Sequence, residues 1–115
     1  MKQILIDTSF ILSTIRNKID LFEELQEYEI LIPEQVLKEI NGITKSKPEA
    51  KLALKIIQRN KPKILKIEGK KTDNAIINYA KKNPEAIIAT LDREIKKKIQ
   101  NPKIVIRNKK KLEII

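Results

Sequence analysis

At 115 residues the chain is one domain able to bury roughly two-thirds of its unfolded surface, and the absence of Cys and His excludes disulfides, the usual zinc sites, thiol nucleophiles and imidazole acid–base chemistry. A formal net charge of +10, from 25 Lys and Arg against 15 Asp and Glu, favours a polyanionic partner, while an aromatic content of 3% argues against base stacking as the main mode of recognition. No apolar run nears the roughly 20 residues that span a bilayer, no signal-peptide pattern opens the chain, and the missing cysteines fit a reducing compartment, so a cytoplasmic domain without membrane contact is expected.

The first apolar run, Ile4-Leu5-Ile6, reads as a buried strand that ends on Asp7, after which Phe10, Ile11, Leu12 and Ile15 take up helical spacing as far as Arg16. A second helix follows with the stripe Ile19, Phe22, Leu25 and Tyr28. Glu29 to Ile32 forms the next strand, and Pro33 suits the opening of a helix from Glu34 to about Asn41, which stops at Gly42. A polar loop from Gly42 to Pro48 leads to an amphipathic helix over Glu49 to Arg59. Ile64 to Ile67 is a third strand, with the weakest pattern of the set, and the turn Glu68-Gly69 precedes a helix that Thr72-Asp73 opens and Asn83-Pro84 closes. Ala86 to Leu91 is the clearest strand and delivers Asp92. A helix with Ile95 and Ile99 inward runs to Gln100, Lys103 to Ile106 is a fifth strand, and Leu112 to Ile115 is an apolar tail. Strands alternating with helices in this way argue for a parallel sheet covered on both faces, with ligands bound at the carboxyl ends of the strands.

Four acids can reach that edge: Asp7, Glu39, Asp73 and Asp92. Three of them sit at expected helix N-termini, where Asp is common simply because it caps free N–H groups. Asp7 and Asp92 stand apart because each follows an apolar strand with a hydroxyl nearby, in Thr8, Ser9 and Thr90. Glu39 lies inside its helix, roughly 60° from Val36 on the flank of the apolar face, a position that leans over the sheet edge or keeps its head in water. Several acids at one edge repel one another and call for a cation, and oxygen donors without His or Cys suit Mg²⁺ or Mn²⁺. The Lys-rich segments at Lys70 and Lys71, at Lys96, Lys97 and Lys98, and at Lys109 to Lys111 are candidates to hold a phosphodiester backbone, although a lysine run is often just a solvated face.

Taken together, DTSFIL (Asp7 to Leu12), VLKEI (Val36 to Ile40), TDNAIINYA (Thr72 to Ala80) and ATLDREIKKKI (Ala89 to Ile99) resemble, in order, the motifs of PIN-domain ribonucleases. The resemblance spans nearly the whole chain. It implies a three-layer α/β/α sandwich with a five-stranded parallel sheet of order 3-2-1-4-5, and Mg²⁺- or Mn²⁺-dependent endonucleolytic cleavage of RNA. By position it makes Asp7, Glu39, Asp73 and Asp92 the metal-binding acids, with Thr8, Ser9 and Thr90 in support. Asn74 stands where the family often has a second acid. The segment from Asp92 onward looks most like archaeal PIN proteins similar to rRNA-processing nucleases, with toxin nucleases of the VapC kind as the close rival. As partners the resemblance admits a homodimer, an antitoxin or a ribosomal particle. A non-catalytic PIN-like module that binds RNA or assists ribosome assembly is the alternative from another class. A receiver-like domain with a phosphorylated Asp fits the basic charge poorly.

Overall fold

Ile4, Leu5 and Ile6 have no exposed surface at all, which is possible only in a strand covered on both of its faces. In the computed structural model, which describes residues 1–115, they form β1 (Gln3–Ile6), the centre of a parallel sheet. After it come α1 (Thr8–Arg16), α2 (Leu21–Glu24), β2 (Glu29–Pro33), α3 (Glu34–Gly42), α4 (Pro48–Asn60), β3 (Lys63–Leu65), α5 (Thr72–Lys82), β4 (Ile87–Ala89), α6 (Arg93–Lys98), β5 (Ile104–Arg107) and β6 (Lys111–Ile114).

The sheet runs β3-β2-β1-β4, with Leu5 level with Leu31 on one side and with Ile88 on the other. Because successive side chains alternate, Ile4 and Ile6 join Phe10, Val36, Ile40 and Ala53 in the larger core beneath α1, α3 and α4. Leu5 joins Ile76, Ile88 and Ile95 in the smaller core beneath α5 and α6. The three layers follow from that alternation.

The order 3-2-1-4 is the expected one, and the fifth strand is where the sheet departs from expectation. β5 lies beside β4 but is joined to it by a single parallel bridge between Ile88 and Lys103, with the Ile88 N–H donating to the Pro102 carbonyl at 2.9 Å. β4 has only three residues, and Pro102 has no N–H to give, so the outer edge of β4 has little ladder to offer. β5 pairs instead with the apolar tail, which forms β6 antiparallel to it through pairs such as Ile104 with Ile114 and Ile106 with Leu112. The connecting turn places both Asn108 (φ 52) and Lys109 (φ 57) in the left-handed region, and the Lys110 N–H donates to the Arg107 carbonyl at 3.0 Å.

Other boundaries moved as well: β4 keeps only Ile87–Ala89 of the expected Ala86 to Leu91, and α6 ends at Lys98 rather than Gln100. The second helix shrinks to the single turn of α2, started by the Glu23 N–H donating to the Asp20 carboxylate at 3.1 Å and long enough to bury Leu21 and Leu25. Glu23 and Glu24 suit the first turn, but Glu27 and Glu29 stand where a longer helix would end and favour cations, which discourages a second turn. The third strand lies one residue earlier than expected and stops at Leu65, because the chain beyond it is drawn to α3 as described below.

Candidate active site

Asp7 leaves β1 at its carboxyl end and caps α1, as its position after an apolar run predicts. Its N–H donates to the Ala89 carbonyl at 2.9 Å, tying the ends of β1 and β4 together. Asp7 is only 8% exposed, and both of its carboxylate oxygens accept hydrogen bonds. Oδ1 accepts the Thr8 N–H at 2.8 Å, and Oδ2 accepts the Thr90 hydroxyl at 2.7 Å and the Ser9 hydroxyl at 3.4 Å. Burial pushes the Asp7 carboxyl above its ordinary value of 3.8, and the hydrogen bonds from Thr90 and Thr8 oppose that rise while the charges of Glu39 and Asp92 add to it.

The other acids are arranged around this buried one. Asp92 caps α6, its Oδ1 accepting the N–H groups of Glu94 at 2.8 Å and Ile95 at 3.4 Å. Its own N–H donates to the Thr90 hydroxyl at 3.1 Å, so the fully buried Thr90 links Asp92 to Asp7. Glu39 comes from α3, and its Oε1 accepts the Thr8 hydroxyl at 2.6 Å. Asp73 is the second residue of α5 rather than its cap, exposed, with Oδ1 accepting the Asn74 N–H at 2.8 Å. All four acids line one open groove of about 1540 Å³ at the carboxyl edge of the sheet. Asp7, Glu39 and Asp92 interact electrically, yet no three carboxylates stand close enough to hold one ion between them.

The groove is walled by cations as well as floored by acids. Lys70 and Lys71 line it, whereas Lys96, Lys97 and Lys98 lie on α6 outside it. Arg16, Lys38, Lys47 and Lys66 also line it and went unnoticed in the sequence, since none belongs to a run of lysines and Lys38 lies in the VLKEI segment beside the more conspicuous Glu39. Gln35 was missed too. Its Nε2 donates to the carbonyls of Ile67 and Gly69, both at 2.8 Å, clamping the connection between β3 and α5 onto α3. Gly69 sits at φ 130, and a Cβ there would stand 2.9 Å from the Cα and N of Ala75 in the first turns of α5. The connection is therefore wedged between α3 and the helix that presents Asp73. One of only two glycines in the chain was the single available hint.

A family model described as PIN like domain matches residues 4–111. The chain belongs to the PIN-like domain family. Among curated proteins this PIN-like domain is similar to ribonuclease VapC4 of Methanocaldococcus jannaschii, at 33% identity over an alignment of 127 positions that spans 99% of this chain and 97% of the relative. Among solved structures it is similar to the PIN domain endonuclease Utp24, with a TM-score of 0.83 and 24% identity over 97% of this chain and 90% of the other, a likeness of fold. The first four strands of this PIN-like domain take the order 3-2-1-4, and no helix of the chain is long and apolar enough to cross a membrane.

Proposed function

We propose that this PIN-like domain is a Mg²⁺- or Mn²⁺-dependent endoribonuclease that hydrolyses RNA phosphodiester bonds at Asp7, Glu39, Asp73 and Asp92. The observation that carries the reading is that four acids from four separate segments line one cation-walled groove, with the least exposed of them at its floor. The donor set fits a hard cation. All four groups offer oxygen, and Mg²⁺ commonly uses one or two carboxylates and keeps water on its remaining positions, which suits acids that do not close around a point. When bound, such a cation neutralises the scissile phosphate and acidifies a water molecule.

The chain's own residues supply position. Thr90 orients Asp7 and Asp92 together, Thr8 holds Glu39 while its N–H fixes Asp7, and Ser9 leans on Asp7 from the other side. Asp73 completes the wall opposite α3, and Lys70 and Lys71 take the phosphates beside the scissile bond. Lys96, Lys97 and Lys98 reach only an RNA that runs on past the groove. The full-length similarity to a protein named ribonuclease VapC4 supports a toxin-type nuclease, with a small antitoxin as its protein partner, over a role in rRNA processing.

The test is cleavage of a structured RNA by the purified protein and its Asp7→Asn variant, in Mn²⁺ and in chelator. Cutting should require Mn²⁺ and fall by about 100-fold or more in the variant, corresponding to a loss of about 3 kcal/mol in transition-state stabilisation. RNA binding in Mn²⁺ without cutting would sink the reading in favour of a non-catalytic RNA-binding module.

A further inference from the structure

The cation-walled groove does not account for the most basic stretch of the chain, Arg107 to Lys111, which has four cations, one Asn and no acid. Sheet register locates this stretch. Lys103 bridges Ile88 in parallel, and Ile88 is level with Leu5. Asp92 lies four residues beyond Ile88, and Arg107 lies four residues beyond Lys103. The β5–β6 turn therefore emerges at the carboxyl edge of the sheet, the edge that carries the acids, on the far side of β4 from Asp7.

The chemistry of the turn points outward. Arg107 is engaged across the hairpin, its Nε donating to Glu113 at 2.8 Å, which stiffens the two strands against each other. Lys109, Lys110 and Lys111 are exposed, and none of them forms an ion pair. Lys109 also holds a left-handed backbone, as Lys18 and Lys61 do elsewhere, a conformation that glycine would adopt without strain. Three adjacent uncompensated charges on a braced turn repel one another, and a polyanion relieves that repulsion.

We infer that the β5–β6 turn is a second backbone-binding surface, which takes the RNA strand leaving the groove past Asp92 through phosphate contacts to Lys109, Lys110 and Lys111. This rests on the endoribonuclease reading, because it extends that site. The contacts are to phosphate and carry no base preference, so they set affinity and the path of the strand and leave sequence choice to the groove.

The experiment measures binding of labelled poly(U) RNA to the metal-free protein across a range of NaCl concentrations. The hairpin variant combines Lys109→Gly, Lys110→Gln and Lys111→Gln. A control combines Lys2→Gln, Lys81→Gln and Lys82→Gln, which removes the same charge from exposed positions toward the opposite, amino edge of the sheet. For a single strand, three lost phosphate contacts make the slope of log K against log salt shallower by about 2, and the control slope stays near that of the wild type. A double variant, Lys110→Gln with Lys111→Gln, leaves the turn backbone untouched and should lower the slope by about 1.4. Equal slopes for hairpin variant and wild type overturn the inference, as does an equal change in hairpin and control variants, which would be an effect of net charge alone. If the wild type binds no RNA either without metal or in Mn²⁺, the endoribonuclease reading fails and takes this inference with it. If it binds and cuts RNA while the hairpin variant matches it, the inference alone fails.

Discussion

Asp7 shows how one residue carries opposing demands. It is the least exposed of the four acids, its burial disfavours the charged form, and Glu39 and Asp92 add like charge, while hydrogen bonds from Thr90 and Thr8 hold the carboxylate in place. In metal-free protein the folded-state value lies above the ordinary 3.8, so the folded state binds the extra proton. Below 3.8 both states are protonated and Asp7 contributes no penalty; stability falls as pH rises from there through the raised folded value, then levels off. Asp7→Asn removes this dependence. In chelator the variant should melt at a higher temperature than wild type at neutral pH, and the gap should narrow toward pH 3.8. A gap that is absent or widens on acidification would show that burial does not destabilise the Asp7 charge. Position after a strand was enough to single out Asp7 and Asp92. The depth of Asp7 and the sharing of Thr90 between the two depend on how β1 and β4 meet, which only the folded sheet decides.

Among the elements, the connection from β3 to α5 sets where Asp73 stands. Gln35 holds it from α3, and Gly69 allows it to press against Ala75. Gly69→Ala places a Cβ against backbone and forces a side chain into a conformation that favours glycine, which should cost about 1–3 kcal/mol in urea unfolding. Gln35→Ala removes two hydrogen bonds to carbonyls and should cost about 1–3 kcal/mol. Both should slow RNA cleavage by shifting Asp73, and unchanged cleavage in a destabilised Gly69→Ala protein would separate this connection from the site. Helical and strand spacing revealed the order of the elements because the parallel core demands apolar runs. It could not reveal Gln35, a polar residue in a helix with no periodic signature, or the brevity of α2. The fifth strand reads as apolar whether it pairs with β4 or with β6, so its partner was not legible either.

For the molecule as a whole, a groove floored by acids and walled by cations sits within a chain of net charge +10. On the proposed reading, the basic exterior attracts a polyanion, while the acids at the floor repel its phosphates until a cation intervenes. A cation that binds only the folded protein stabilises it by mass action, by about 2.7 kcal/mol at a hundred times its dissociation constant. Mn²⁺ should therefore raise the melting temperature of the wild type and leave that of Asp7→Asn nearly unchanged. Equal shifts in the two proteins would mean that the ion binds elsewhere. Composition raises the expectation of a polyanion, and the absence of histidine that of oxygen ligands, from the sequence alone. The convergence of acids and lysines on one groove needed the crossovers of the sheet.

The pairing of β5 with β6 bears on solubility. A parallel sheet that ended at β5 would offer a row of free N–H and C=O groups flanked by Ile104 and Ile106, a template on which another molecule could add its own strand. β6 occupies that row, and it carries Lys111 and Glu113 along the boundary that remains, where charge discourages stacking. The tail thus acts as a guard against self-assembly, keeping a lysine-rich, isoleucine-rich chain from polymerising edge to edge.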